Sequence, residues 1–405
     1  MARLLGIEIR NYRALRHVVL GRTFERRADE LLPMTAVIGP NGSGKSTLMD
    51  ALAFLGDCLR SGVEEACDAP HRGGFLRLRT RGQVGPIQFE VYFRQAPNHR
   101  PISYSLHVDT DGMGRPVVRY ERFRQRRQGE RYGHPYSFLE LENGTGWAWA
   151  GEGTADAEGS RKEQVHLRDR RQLGIATLGN LKEHPRVAAF RTFLEGWYLS
   201  YFVPDLARGL PMAGAQKHLN QKGDNLANYL QYMERSQPRR FAALLARVAQ
   251  KIPGIVKISH AVSQDGRLLL QFNDRGYVDP FYAADMSDGT LKMLAYLLLL
   301  EDPEPAPLVG IEEPENGLHH QLLAPLAREL RERAERAAPQ LFVTTHSPHI
   351  ADALTPEEVW TVEKGDDGAS VLRRAADYPG VRELFEEGIP LGELWFSGHF
   401  GWRPE

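Results

Sequence analysis

Apolar and polar positions along this chain follow two periods, and the switches between them mark the predicted elements. Leu4 to Arg10 alternates with Leu5, Ile7 and Ile9 on one face, which predicts a strand, and Val18 to Leu20 predicts another. Met34 to Ile38 predicts a short buried strand. The helical spacing of Leu48, Leu52, Leu55 and Leu59 predicts a helix from Leu48 to Leu59. From Phe75 to about Trp149 the pattern is one of short strands, clearest at Ile87 to Phe93, Ile102 to Val108, Val117 to Phe123 and Phe138 to Leu141. Asp111-Gly112 and Asn143-Gly144 supply hairpin turns between them. Gly151 to Gly159 predicts a flexible loop. His184 to Glu195 predicts a helix, Trp197 to Val203 a strand stopped by Pro204, and Asp205 to Gly223 irregular chain.

Two helices are expected next, Asp224 to Glu234 and Pro238 to Ile252, neither long nor heptad-patterned enough for a coiled-coil arm. Ile255 to Val262 and Leu268 to Phe272 predict strands around the turn Gln264-Asp265-Gly266. Ser287 is a good N-cap for a helix whose segment Leu291 to Leu300 is apolar on nearly every face and therefore buried. Leu308 to Ile311 and Gln340 to Thr345 predict two further buried strands.

Chemistry concentrates where these elements meet. Between the strand at Met34 and the helix at Leu48 stands Gly39-Pro40-Asn41-Gly42-Ser43-Gly44-Lys45-Ser46-Thr47, which fits G-x-x-x-x-G-K-[ST]. Glycines let successive backbone N–H groups point inward at phosphate, and the following helix adds its positive end. In such a loop Lys45 faces the β- and γ-phosphates and Ser46 offers its hydroxyl to Mg²⁺, so the chain is expected to bind a nucleoside triphosphate. The strand at Leu308 ends in Glu312-Glu313. Two acids after an apolar strand suit one metal-fixing carboxylate, Glu312, and one that polarises an attacking water, Glu313. His346 follows the last strand, at the end that faces the ligand crevice of a parallel sheet. The open N-terminus of the Ser287 helix is a second anion site. Arg13, just past the first strand, is either a phosphate contact or an ordinary surface arginine.

Charge adds a local feature rather than a global one. With 51 Lys plus Arg against 52 Asp plus Glu, no overall field draws the chain onto nucleic acid. Arg119, Arg122, Arg124, Arg126, Arg127 and Arg131, interleaved with Tyr120, Phe123 and Tyr132, form either a phosphate-backbone contact or an exposed edge strand protected by charge. Cys58 and Cys67 are the only cysteines, which argues against a disulfide framework. No apolar run suits a signal peptide or a bilayer span, so a cytoplasmic protein is expected.

The ordered set of Ile9-Arg10-Asn11-Tyr12-Arg13, the loop at Gly39, Ser287-Asp288-Gly289-Thr290, Glu312-Glu313-Pro314-Glu315-Asn316-Gly317-Leu318-His319 and Thr345-His346-Ser347-Pro348 resembles the ABC-type ATPases. Within them it resembles the RecF/SMC-like branch and the AAA_21-type predicted ATPases, as does the tail Leu391 to Gly398. The resemblance covers about the first 60 residues and the last 150. It implies an α/β fold, a P-loop ABC-type ATPase head with a mixed central sheet, an antiparallel β flank and a small helical lobe. The head would comprise 1–110 and 255–405, and 111–254 would be an inserted β/helical region.

The same resemblance implies Gly39 to Thr47 on the phosphates, Ser46 and Glu312 on Mg²⁺, Glu313 as general base and His346 as γ-phosphate switch. It further implies Asn316 to His319 as a partner-facing loop, and Ser287 to Thr290 binding the γ-phosphate of a second copy. Glu312 stands where Asp is usual. Ser-Asp-Gly-Thr replaces the transporter spelling, Ser-Gly-Gly-Gln. Gln83 and Gln88 are both candidates for the family's Q-loop glutamine. The expected function is ATP hydrolysis driving homodimerisation as a switch in DNA repair or antiviral defence, with DNA and a separate effector as partners. The alternatives are a transporter ATPase subunit and an ATP-sensing module with little hydrolysis.

Overall fold

The computed structural model describes residues 2–126, 135–151, 161–252, 254–336 and 339–401. The chain divides into two compact units, Met1–Trp197 with Pro356–Val381, and Tyr198–Thr355 with Arg382–Glu405. The expected loop at Gly151 to Gly159 falls outside the described residues from Glu152 onward, as do Arg127, Arg131 and Tyr132.

The first unit carries an eight-stranded antiparallel sheet. In chain order its strands are β1 (Arg3–Tyr12) and β2 (Leu15–Gly21), then, after β3 (Met34–Ile38) in another sheet, β4 (Ile87–Arg94), β5 (Ile102–Thr110) and β6 (Pro116–Arg126). They continue with β7 (Pro135–Glu142), β8 (Thr145–Ala150) and β9 (Arg161–His166), and the spatial order is β2-β1-β4-β5-β6-β7-β8-β9. β5 and β6, on either side of residue 110, pair along their whole length around the Asp111 turn. Phe190, from the helix Pro185–Glu195, packs on this sheet with ring centroids 4.6 Å from Phe93, 4.9 Å from Tyr104 and 5.1 Å from Phe123. Phe54, from the helix Lys45–Ser61, packs likewise at 5.6 Å from Tyr12 and 5.7 Å from Phe89. Stripes of aromatic side chains at period two meet helical stripes at period three to four, the arrangement the two sequence periods require.

β3 is fully buried and runs parallel to the strand Val359–Lys364, which pairs antiparallel with Ser370–Arg374. These strands support the phosphate-loop helix from one end, and a charged network holds it along its side. Asp50, five residues past Lys45 on that helix, accepts from Tyr12 Oη at 2.7 Å and from Arg72 Nε at 2.9 Å. Arg13 Nη1 stands 3.2 Å from the same carboxylate. The Arg72 side chain is wholly buried and also donates to Asp57 and to the Ala66 carbonyl.

In the second unit three parallel strands, Tyr198–Ser200, Leu308–Glu312 and Gln340–Thr345, lie side by side in that order. The helix Asp288–Leu300 is buried on nearly every face, as its uniform apolar run requires. The amphipathic helices Leu226–Ser236 and Pro238–Lys251 accompany an antiparallel sheet of Ile255–Val262, Leu268–Asp274 and Phe281–Tyr282. Arg247 joins the carboxylates of Glu301 and Glu329, and Lys251 reaches Glu329 at 2.7 Å.

Three parts of the expected pattern are corrected, at Phe75, at Trp197 to Ala207 and at β6. Phe75–Leu78 is a single helical turn rather than the start of the strand series, because Gly73 and Gly74 at φ +69° and +97° turn the chain there. The strand expected over Trp197 to Val203 is limited to Tyr198–Ser200, and Pro204 opens a one-turn helix, Pro204–Ala207, inside the stretch expected to be irregular. The basic strand β6 is no exposed edge: it is hydrogen-bonded to β5 on one side and β7 on the other. The two cysteines are buried and free. Among the described residues no helix is long and apolar enough to cross a membrane.

Glu121 in β6 is completely buried. It accepts from the backbone N–H groups of Gly174 (2.5 Å) and Ile175 (2.9 Å) and from Tyr104 Oη (3.1 Å). Burial without a cation pushes its carboxyl up to about 7, although the three donors pull the other way. The folded chain therefore keeps a proton that the unfolded chain releases above its ordinary carboxylate value. The contribution is full at low pH and is lost as pH rises through about 7. The unfolding free energy is expected to fall by about 2 kcal/mol from this group between pH 5.5 and 8. Urea titrations across that range should show this fall in the parent and its absence in Glu121→Gln, whatever that variant's baseline.

Candidate functional site

The phosphate loop is built by exclusion as much as by attraction. Gly42 and Gly44 take φ values of +76° and +116°, where a side chain is strained. A Cβ on Gly39 would stand 2.2 Å from the Val362 carbonyl oxygen, and one on Gly44 would stand 2.2 Å from Ser370 Oγ. Ser370 Oγ donates to the Ser43 carbonyl at 2.6 Å, so the strand Ser370–Arg374 fixes the back of the loop. Lys45, buried to 4% exposure, donates from Nζ to the carbonyls of Gly39 (2.8 Å) and Pro40 (3.1 Å). Ser43 Oγ is buried without a hydrogen-bond partner, while Asn41 and Ser46 are exposed at the mouth. Thr47 is half-buried on the first helical turn.

A buried orphan hydroxyl, a curled glycine backbone and a lysine held over its own loop fit a polyphosphate. Arg13 lies beside this helix rather than free at the surface. Its backbone is at φ +49°, its guanidinium pairs with Asp50, and it donates to the His71 carbonyl at 3.0 Å. Asn11, at φ +64°, turns its amide onto the carbonyls of Gly85 and Pro86, both at 3.1 Å. Of the two glutamine candidates, Gln83 is exposed in that same turn, and Gln88 lies within β4 opposite Arg10.

In the second unit the strand Leu308–Glu312 ends with Glu312 half-buried, and the chain then breaks direction. Glu313 has φ +42° although proline follows it, and a residue before proline ordinarily stays extended. Its N–H still donates to the Thr344 carbonyl at 2.9 Å, so the strand pairing imposes the turn. The strain, on the order of 1–3 kcal/mol, swings the Glu313 carboxylate away from the strand. Asn316 Nδ2 donates to Glu313 Oε2 at 2.9 Å, and His346 Nδ1 stands 3.6 Å from Oε1.

The sequence reasoning quoted Glu315 without a role, and it is the residue that fixes His346. Its Oε1 accepts from the His346 backbone N–H at 2.6 Å and from Thr345 Oγ1 at 2.7 Å, and it lies 3.1 Å from His346 Nδ1. Glu315 Oε2 is buried and has no partner. Lys292 was missed altogether. It is nearly buried on the Ser287 helix and donates to the Asn316 carbonyl at 2.5 Å. Burial lowers its ammonium, opposed by the nearby carboxylates of Asp288, Glu315 and Glu313. A lysine inside an apolar helical run was the available signal.

Ser287 caps its helix as expected: Oγ accepts from the Thr290 N–H at 3.2 Å and lies 2.9 Å from Thr290 Oγ1. Gly289 leaves room for the Gly317 carbonyl, 3.0 Å from where a Cβ would be, so the glutamate loop packs onto the helix start. Arg208, also missed, donates to Asp288 Oδ1 at 2.5 Å and to the Met286 carbonyl at 2.8 Å. The structure thus brings Glu313, Asn316, His346, Lys292 and the Ser287 helix together in one unit, and Arg13 beside the phosphate-loop helix in the other.

Known proteins share this fold. A Smc head domain with an extended coiled coil, bound to the C-terminal domain of ScpA and derived from Pyrococcus furiosus, is 14% identical with a TM-score of 0.52, over 96% of this chain and 99% of that one. A SmcHead bound to the C-winged helix domain of ScpA is 14% identical with a TM-score of 0.51, over 92% and 98%. A stretch of 56 residues is 45% identical to structural maintenance of chromosomes protein 1 of Schizosaccharomyces pombe, which is 14% of this chain and only 4% of that protein's length. The family AAA_21, described as "AAA domain, putative AbiEii toxin, Type IV TA system", matches residues 34–352. That span takes in the phosphate loop, the Ser287 helix, the glutamate pair and His346, and this chain, which has the fold of the SMC head domains, belongs to the AAA_21 family.

Proposed function

We propose that this protein is a Mg²⁺-dependent ATP phosphohydrolase whose ATP-driven head-to-tail pairing acts as a switch in DNA repair or antiviral defence, with a separate effector protein. The observation that carries the enzymatic part is Glu313: a strained backbone aims its carboxylate, and Asn316 and His346 bracket its two oxygens. A base that accepts a proton from water must be held in position toward it. Asn316 orients Oε2, and Oε1 faces the His346 imidazole. Glu315 holds that imidazole by its backbone and ring, so His346 is positioned rather than mobile.

Lys45, Ser43 and the inward N–H groups of Gly39 to Thr47 would hold the phosphates, and Ser46 with Glu312 would hold Mg²⁺, which supplies charge neutralisation when bound. The Ser287 helix, with Asp288, Gly289 and Thr290, would present its positive end to the γ-phosphate of a second copy. A head-to-tail pair then makes two such sites. The family's description as a toxin–antitoxin component is compatible with a defence role.

Glu313→Gln keeps size and the Asn316 bond but cannot accept a proton. ATP hydrolysis is expected to fall about 10²–10⁴-fold with ATP affinity retained. Steady-state hydrolysis and ATP binding check this, and a near-parental rate would move the base elsewhere, first to Glu312.

Lys45→Ala is expected to weaken nucleotide binding. In sedimentation with saturating ATP and Mg²⁺, Glu313→Gln should collect as a dimer and Lys45→Ala should stay monomeric. A monomeric Glu313→Gln protein would sink the pairing while leaving the ATPase assignment standing.

A further inference from the structure

The described arginines of β6 differ in exposure: Arg119 is exposed, Arg122 and Arg126 are half-buried and Arg124 is buried. Arg124 is nearly buried over the Phe24 ring, 3.9 Å from its centroid, and pairs with Glu25 at 3.2 Å. Arg126 instead reaches a depression of about 360 Å³ that it lines with Arg22, Arg27, Arg94 and Arg100, around Tyr92. These side chains come from β2's end, the following loop, β4, the β4–β5 connection and β6, so the cluster is made by the fold. Glu30 answers part of the charge, accepting from Arg94 at 2.7 and 3.0 Å and from Arg22 at 3.5 Å. Arg126 donates to the Phe24 carbonyl at 3.4 Å and lies 4.5 Å from the centre of its ring. Burial raises the Tyr92 hydroxyl, and Arg22, Arg126 and Arg94 all pull it back down, so three guanidiniums converge on one point.

Arg100 and Arg126 also line a second cavity of about 560 Å³ whose wall adds Asn98, His99, Gln125, Ile102 and Tyr136, the last accepting from Arg186 at 2.6 Å. Amides, an imidazole and an aromatic face suit a nitrogen heterocycle, as guanidiniums suit phosphate. Both volumes lie in the range that encloses a small ligand. A duplex would present its phosphates along a line, about one per 1.7 Å of axis, and would match a stripe rather than a ringed depression.

We propose that these two cavities, which share Arg100 and Arg126, form a second ligand site, for a compact phosphorylated nucleoside, with the phosphates on Arg22, Arg94 and Arg126 and the base toward Gln125 and Tyr136. None of these residues belongs to the phosphate loop or to the glutamate loop.

The test uses the full chain carrying Lys45→Ala, titrated calorimetrically with inorganic pyrophosphate, with AMP and with a short single-stranded oligodeoxynucleotide lacking a terminal phosphate. Saturable binding of pyrophosphate and AMP is expected. Adding Arg126→Gln, or separately Arg22→Gln, should weaken each about tenfold. Arg126→Lys should fall between, since it keeps the charge and loses the fork. Melting curves confirm that each protein is folded, and the two glutamine variants are independent, so loss of one leaves the other decisive. The proposal is overturned if neither small probe saturates, if folded arginine variants bind them unchanged, or if only the oligonucleotide binds, which would assign the surface to nucleic acid.

Discussion

The first unit depends on one carboxylate. Asp50 is buried on the phosphate-loop helix, and Tyr12, Arg72 and Arg13 all converge on it. Arg72 is fully buried, and its Nη2 lacks a partner even with Asp50, Asp57 and the Ala66 carbonyl in place. Such a guanidinium is tolerable only while its carboxylates stay. Removing one partner of a buried pair typically costs roughly 3–5 kcal/mol, because the other charge is stranded. The orientation of the phosphate loop is therefore tied, through one helix, to the Asn-Tyr-Arg start of the chain. That tie gives the start a physical role: Asn11 and Arg13 both sit at positive φ, so that Tyr12 between them can point inward at Asp50.

The second unit uses carboxylates in the opposite way. Glu313 is strained and half-buried, Glu315 is buried and bonded to Thr345 and His346, and only Pro314 separates them. The turn at Glu313 makes this possible. An extended chain would place residues 313 and 315 on the same face, whereas the left-handed residue lets one carboxylate face outward while the other faces the Thr345 hydroxyl and the His346 N–H. Lys292 ties this turn to the Ser287 helix through the Asn316 carbonyl. A displacement of that helix would be felt at Asn316, the residue that orients Glu313.

What the sequence made legible and what it hid divide along a physical line. The strand Met34–Ile38, the loop and its helix are specified within a short stretch, and each formed as patterned. Ser287 as a cap was legible for the same reason: the hydroxyl and the N–H it serves are three residues apart. Glu315, Arg208 and the arginine-lined depression were not, because their partners lie far along the chain, as Arg208 and Asp288 do, 80 residues apart. Of the two readings open for the basic strand β6, the sequence could not exclude the edge, because a period-two pattern says which face is buried and nothing about how many neighbours a strand has. Glu121 shows the limit most sharply. Nothing local distinguishes it from the surface glutamates around it, and its burial follows from Gly174 leaving room for its carboxylate.

The start of the Ser287 helix carries its own electrostatic problem. A helix N-terminus attracts anions, and an acid in the first turn satisfies that end internally. Asp288 is such an acid, and alone it would repel the phosphate that the helix is expected to meet. Arg208 bonds to Asp288 and to the Met286 carbonyl at once, which cancels the aspartate's charge without removing its contacts. It also pairs with Asp205 at 2.6 Å, on an exposed side chain whose charge water screens. What is left at the helix end is the backbone's own partial positive charge, with the Ser287 and Thr290 hydroxyls set at its rim. Through Arg208, the Ser-Asp-Gly-Thr spelling keeps an anion-receptive end despite its aspartate.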